Sequence, residues 1–265
     1  MTAHARQTLR RWLRRRSPSQ GERTVTYFHG CAANYYEVET GRMAIEVLEH
    51  NGYRVVTPTQ GCCGLPLQSN GLFDDARRYV RRLVAALAPT VSDGHAIVAT
   101  STSCGLMLKR EAREILGVQD DDLELVGKHT FDVCEFLLDL HECGELRTGF
   151  RPVELTVPYH APCQQRGHGI GTPAVELLRL LPGLEVVESG EVCCGVAGTY
   201  GLKREKYAVA LDVGAGLFRI IRAMAPELSV LRLRDVPLAD RPRIRRPIGP
   251  PDRPAAPRLR PVGGT

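Results

Sequence analysis

No stretch of this chain reaches the ~18–20 uncharged apolar residues that a membrane-spanning helix needs. The longest candidate, Ala208 to Leu231, is broken by Asp212, Arg219, Arg222 and Glu227, so no bilayer span is expected. The N-terminus has arginines but no apolar h-region, and no secretory signal is expected. Closely spaced C-x₂₋₄-C pairs of the zinc-finger kind are missing. So are a P-loop, a Ser/His/Asp order and a metal-hydrolase His pair. These gaps leave no acid–base or hydrolytic machinery to argue from.

The chain has 265 residues, 43% apolar and 25% charged, enough for one large globular domain or two ordinary ones. The net charge of +5 hides a division. Residues 1–23 carry +6 and residues 231–265 another +6, so residues 24–230 carry −7. An acidic body lacks the basic face that nucleic-acid binding requires, and no nucleic-acid partner is expected. The basic ends read as solvated tails or as contacts with an anionic membrane surface. Nine cysteines without a secretory signal point to a reducing compartment, and to metal or redox use rather than disulfides.

Strand-like runs alternate with helical spacing. Thr24–Phe28, Arg54–Thr57 and Ala96–Thr100 read as strands, with helices predicted around Met43–Leu48, Phe73–Leu87, Leu106–Leu116 and Phe131–Leu140. The order then restarts. Leu155–Tyr159 and Leu184–Val187 read as strands, and Ala174–Leu181 and Lys203–Met224 as helices. Such alternation implies a parallel sheet with helices on both faces. The restart is an internal repeat. Cys31 precedes Cys163 by 132 positions, while Cys62 precedes Cys193, and Cys63 precedes Cys194, by 131. Residues 1–23 are therefore read as a basic linker, 24–145 as a first lobe and 150–230 as a second.

In both halves the cysteines follow predicted strands, and ligands in a parallel α/β sheet gather beyond the carboxyl ends of the strands. Cys31, Cys62, Cys63 and Cys104 are expected to converge in lobe one, and Cys163, Cys193 and Cys194 in lobe two. Adjacent cysteines in extended chain point to opposite sides. Cys-Cys-Gly therefore needs a turn, and its glycine permits positive φ. Thiolates in this number favour iron–sulfur clusters or zinc. Cys134 and Cys143 have no counterpart in the second half and read as structural. His29 and His160 sit before the first cysteine of each lobe, where they would either tune a cluster or be satisfied by backbone. Gly195–Gly201 lacks G-x-G-x-x-G spacing and reads as turn geometry around the cysteine pair.

At Tyr27–Cys31, Gly61–Leu67, Ala99–Cys104, Tyr159–Cys163 and Cys193–Gly201, the sequence resembles the cysteine-rich CCG-domain family. That family includes the B subunit of heterodisulfide reductase, the glycolate oxidase iron–sulfur subunit, lactate-utilisation proteins and the C subunit of anaerobic glycerol-3-phosphate dehydrogenase. The likeness is strongest to the last of these. The resemblance implies two pseudo-symmetric Rossmann-like lobes in an α/β fold. It implies iron–sulfur clusters of the 4Fe–4S type, cubane or noncubane, and electron transfer from a flavin-bearing dehydrogenase subunit toward a membrane-anchoring or quinone-linked subunit. The implied location is cytoplasmic, peripheral on the inner face of the cell membrane. Two departures matter. Ser101 stands where the family's pattern has the first cysteine of a C-x-x-C. The chain is also expected to start downstream of the ferredoxin-like domain of such subunits, with Arg10-Arg11-Trp12 resembling the linker.

The repeat places a second C-x-x-C at positions 233 and 236, which hold Leu233 and Val236. Eight of the 18 prolines and nine arginines fall in residues 231–265, the composition of a disordered tail. Codons permitted for Leu231 to Arg241 also read, one base later, as Ser-Asp-Cys-Glu-Thr-Cys-Arg-Trp-Gln-Ile. That reading puts cysteines at codons 233 and 236, so the segment is expected to be a frameshifted tail and lobe two to be left truncated. The reading of the whole is an electron-transfer subunit of a glycerol-3-phosphate dehydrogenase complex, without a substrate site of its own. The alternatives are a heterodisulfide-reductase-like catalytic module, or a non-catalytic scaffold with vestigial cysteines.

Overall fold

The computed structural model describes residues 4–17, 20–224 and 230–231. They form two compact units. One holds the chain up to Leu146 together with Gln164–Gly171, and the other holds Arg147–Cys163 and the chain from Thr172.

The first unit contains strands β1 (Arg23–Phe28), β2 (Tyr53–Val56), β3 (Ala96–Ala99) and β4 (Thr130–Asp132), all parallel in the order β2-β1-β3-β4. The β-branched and aromatic residues of β1 suit a pleated, buried surface. Successive side chains alternate between faces. Val25 and Tyr27 pack with Leu9, Ile45, Leu48, Phe136 and Leu140, while Phe28 packs with Leu83, Leu87, Ile97, Leu123 and Val126. Helices Val38–His50 and Val133–Glu142 therefore cover one face, and Phe73–Ser92 and Asp121–Lys128 the other. Helix Phe73–Ser92 is held there by a stripe of Ala76, Val80, Leu83, Val84, Leu87 and Val91. Each fully buried leucine or valine in it contributes about 1.5–3 kcal/mol.

The second unit contains β5 (Leu155–His160), β6 (Leu184–Glu188) and β7 (Val230–Leu231), parallel in the order β6-β5-β7. Helix Tyr207–Met224 packs Leu217, Phe218 and Ile221 against Cys194 and Val196. The repeat is visible in the hydrogen-bond register. Tyr27 pairs with Val98 and Phe28 with Ala99, while Tyr159 pairs with Val230 and His160 with Leu231. All four residues of the second set follow their counterparts by 132 positions. The fold is α/β with two parallel sheets, as the alternation of elements predicts.

Four local readings change. The basic N-terminal segment is not a solvated tail. Thr8 caps helix Leu9–Leu13, Leu9 is fully buried, and Arg16 and Arg42 stack on Trp12. Phe131 lies in β4 rather than in a helix, because Asp132 and Glu135 form a capping box that starts the helix at Val133. The helix expected over Leu106–Leu116 is interrupted by a π-helical turn, Met107–Glu111. Gln164–Gly171, read as part of lobe two, belongs to the first unit, where Arg110 Nη1 donates to Gly167 O at 2.9 Å. The expected disordered, frameshifted tail of 231–265 lies, beyond Leu231, outside the described residues.

Candidate metal centres

Each cysteine group sits where its strand hands over to a loop or helix. Cys31 is in the first turn of helix Gly30–Tyr35, directly after β1. Cys62 and Cys63 occupy the loop between β2 and helix Leu65–Gln68. Cys104 follows β3 on helix Thr102–Leu106. Parallel strands put all three ends at one edge of the sheet.

The Cys-Cys-Gly turn has the geometry the sequence demands. Gly64 has φ +85° and its N–H donates to Cys62 Sγ at 3.4 Å. Gly195 repeats this, with φ +85° and a donation to Cys193 Sγ at 3.3 Å. In the first unit the turn leaves the Cys62 and Cys63 thiols close enough to interact.

Cys63 and Cys104 are both 1% exposed, and their sulfurs are 3.3 Å apart. The neighbouring Cys104 thiol, then the Cys62 thiol, then burial push the Cys63 thiol well above its usual range. These surroundings favour the protonated Cys63 thiol in the metal-free protein, and a bound cation would favour its thiolate instead. Gly30 has φ +57°, and a Cβ there would lie 3.1 Å from Cys104 Sγ. The backbone leading to Cys31 thus runs close to Cys104, at a φ that favours glycine. Among the described residues no three His, Cys, Asp or Glu side chains are grouped to hold a single metal ion. The donors brought to this edge are all thiols, and an all-thiol donor set suits iron and sulfide.

Ser101, at the position where the family's pattern has a cysteine, serves the helix instead. Its Oγ accepts from Cys104 N at 3.3 Å and caps helix Thr102–Leu106. In the second unit Cys163 is exposed, Cys193 half-buried and Cys194 buried. Cys134 lies in the first turn of helix Val133–Glu142, and Cys143 is exposed at that helix's end.

Both histidines are buried, 3% exposed each. His29 Nδ1–H donates to Gly30 O at 2.7 Å, so backbone holds the ring, and burial lowers its pKa. His160 Nδ1 is 3.3 Å from Ser189 Oγ. The segment Gly195–Gly201 is turn structure, closed by Gly201 N–H to Val196 O at 2.9 Å.

Two residues near the first site carry no signal in composition or periodicity. Gln60 is buried, and its amide bonds to Tyr27 O near the end of β1 and to His29 N just beyond it. His168 Nε2–H donates to Thr102 O at 2.7 Å, two residues before Cys104. A glutamine two positions ahead of Cys-Cys-Gly is visible in sequence, but its partners are not.

Paired parallel sheets that each present a Cys-Cys-Gly turn at the carboxyl edge define a thiolate-rich, two-lobed metal-binding class. The cysteine-rich (CCG) domain family model matches residues 25–109 and 157–230, and the chain belongs to that family. It is 35% identical over 232 residues to the C subunit of the anaerobic glycerol-3-phosphate dehydrogenase of Escherichia coli (strain K12), covering 84% of this chain and 56% of that protein. It is 30% identical over 205 residues to the B subunit of the fumarate reductase (CoM/CoB) of Methanothermobacter marburgensis, covering 76% of this chain and 38% of that one. Lactate utilization protein A of Geobacillus kaustophilus is 28% identical over 185 residues, 68% of this chain and 74% of that protein. The chain spans about half the length of the first of these relatives.

Proposed function

We propose that the chain is an iron–sulfur electron-transfer subunit of an anaerobic glycerol-3-phosphate dehydrogenase. The observation that carries this reading is the buried Cys63–Cys104 contact of 3.3 Å with Cys62 alongside, at the end of three parallel strands. Cys31, Cys62, Cys63 and Cys104 hold the first cluster, and Cys163, Cys193 and Cys194 form an incomplete second site. When bound, such a cluster accepts and passes on single electrons. The protein's part is to exclude water around Cys63 and Cys104 and to aim the N–H of Gly64 at the Cys62 sulfur. The partners are a flavin-bearing dehydrogenase subunit, which supplies electrons, and a membrane-anchoring or quinone-linked subunit, which receives them. No helix among the described residues is long and apolar enough to cross a membrane. The proposed place is at the inner face of the cell membrane, held there by the partner.

The test is anaerobic purification of the full chain, followed by iron and acid-labile sulfide determination and visible spectroscopy. Brown protein that bleaches when the flavin subunit and glycerol 3-phosphate are added supports the reading. Colourless, iron-free protein overturns it. Bleached protein that reoxidises on adding a disulfide substrate would favour the heterodisulfide-reductase-like alternative.

A further inference from the structure

The two lobes differ at one point of their strand ladders. In the second unit β6 runs to Glu188, which pairs with Tyr159, and the next N–H, that of Ser189, donates to Tyr159 O at 2.8 Å. In the first unit β2 stops at Val56, paired with Thr26. The residue 131 positions before Ser189 is Pro58, and proline has no N–H to give. The carbonyl of Tyr27, the counterpart of Tyr159, therefore loses its backbone donor. Tyr27 is fully buried, where an unmade backbone bond is costly.

Gln60 fills the place. Its Nε2 donates to Tyr27 O at 3.0 Å and faces Pro58 O at 3.4 Å, and its Oε1 accepts from His29 N–H at 2.9 Å. A side-chain amide has one carbonyl and one aligned N–H, as a peptide does. It continues the β2 ladder past the proline. Only one orientation works, since a flipped amide would set N–H against N–H and oxygen against oxygen. Glu191 occupies the equivalent place in lobe two. Its carboxylate could not donate to Tyr159 O, and the Ser189 N–H makes that donation unnecessary.

We propose that Gln60 is a positioning residue for the first cluster: it substitutes for the N–H that Pro58 lacks and clamps the Cys62–Cys63 loop to the end of β1 that leads into Cys31. This rests on the iron–sulfur reading of that site. Without the clamp the loop keeps its cysteines but loses their fixed distance from Cys31, so an assembled cluster is held less firmly.

The experiment uses the full chain as wild type, Gln60→Leu, Gln60→Glu, Pro58→Ser, the double variant Pro58→Ser with Gln60→Leu, and Val91→Ala as a remote core control. Iron release to an excess chelator and the EPR spectrum of the reduced cluster are measured, with amide exchange of His29 in the metal-free protein. Gln60→Leu should release iron about 10- to 30-fold faster, the worth of two hydrogen bonds. It should also alter the EPR line shape and speed His29 exchange. Gln60→Glu, which keeps the shape and can still accept from His29, serves if the leucine variant fails to fold. It should release iron no more slowly than Gln60→Leu, because a carboxylate oxygen then faces the carbonyls of Tyr27 and Pro58. The double variant should recover to within about five-fold of wild type, because the serine N–H restores one of the two bonds. Wild-type protein without iron overturns the iron–sulfur reading. Iron-loaded wild type with unchanged release and spectrum in both Gln60 variants overturns the positioning role alone. So does a double variant as fast as Gln60→Leu, or a Val91→Ala control as fast at equal loss of thermal stability.

Discussion

Replacing Gly195 by alanine probes the turn on which the second cysteine pair depends. Gly195 has φ +85°, and a Cβ on it would lie 1.9 Å from Ala210 O and 2.9 Å from Ala210 C. The left-handed conformation alone costs an alanine roughly 1–2 kcal/mol. The clash is with backbone of helix Tyr207–Met224, which cannot rotate away, and overpacking of this kind costs typically ~1–3 kcal/mol. Together the loss should be about 2–5 kcal/mol. Gly64 has the same φ, but its Cβ would lie 3.0 Å from Ala76 O, so Gly64→Ala should cost about 1–3 kcal/mol. Urea unfolding of each variant, with amide exchange of Tyr207–Met224 read by mass spectrometry, separates them. The helix should lose protection in Gly195→Ala and keep it in Gly64→Ala. Equal destabilisation by the two, or full protection in Gly195→Ala, would refute the argument that backbone approach dictates the glycine.

Burial holds the pKa of His168 below its ordinary value, although the bond to Thr102 O pulls the other way. The unfolded chain therefore takes up the proton first, and the first unit should lose stability as pH falls below about 6.5. His168→Gln should flatten the fall in urea midpoint between about pH 7.5 and 5.5 in metal-free protein; an unchanged slope would assign the acid sensitivity elsewhere. Leu233→Cys with Val236→Cys should raise iron and labile sulfide per polypeptide, since the β5–β7 register carries the repeat up to Leu231. Equal iron in the two proteins would show that those positions are not ligands.

The order of strands and helices, the two-lobed repeat and the cysteine edge were legible in the sequence. They rest on local chemistry: β-branched runs for β1 and β5, a helical stripe in Phe73–Ser92, and Cys-Cys-Gly turns whose glycines need positive φ. The fixed offset between the halves added long-range information that one lobe alone would not hold. The three-residue β4 was too short for periodicity to register, and its end is set by a capping box.

Other features depend on which distant groups meet. Nothing in residues 9–13 says that Leu9 will be fully buried beside Ile45 and Leu48. The basic charge around it predicts the opposite, because a short helix is placed by the surface it finds and not by its own composition. The Cys63–Cys104 contact joins residues 41 apart, and the match of Gln60 to Tyr27 and His29 spans more than thirty. Sequence supplies the proline that removes a donor and the glutamine that can replace it. Only the tertiary fold sets the two against the same buried strand, because a hydrogen bond is decided by distance and direction in space.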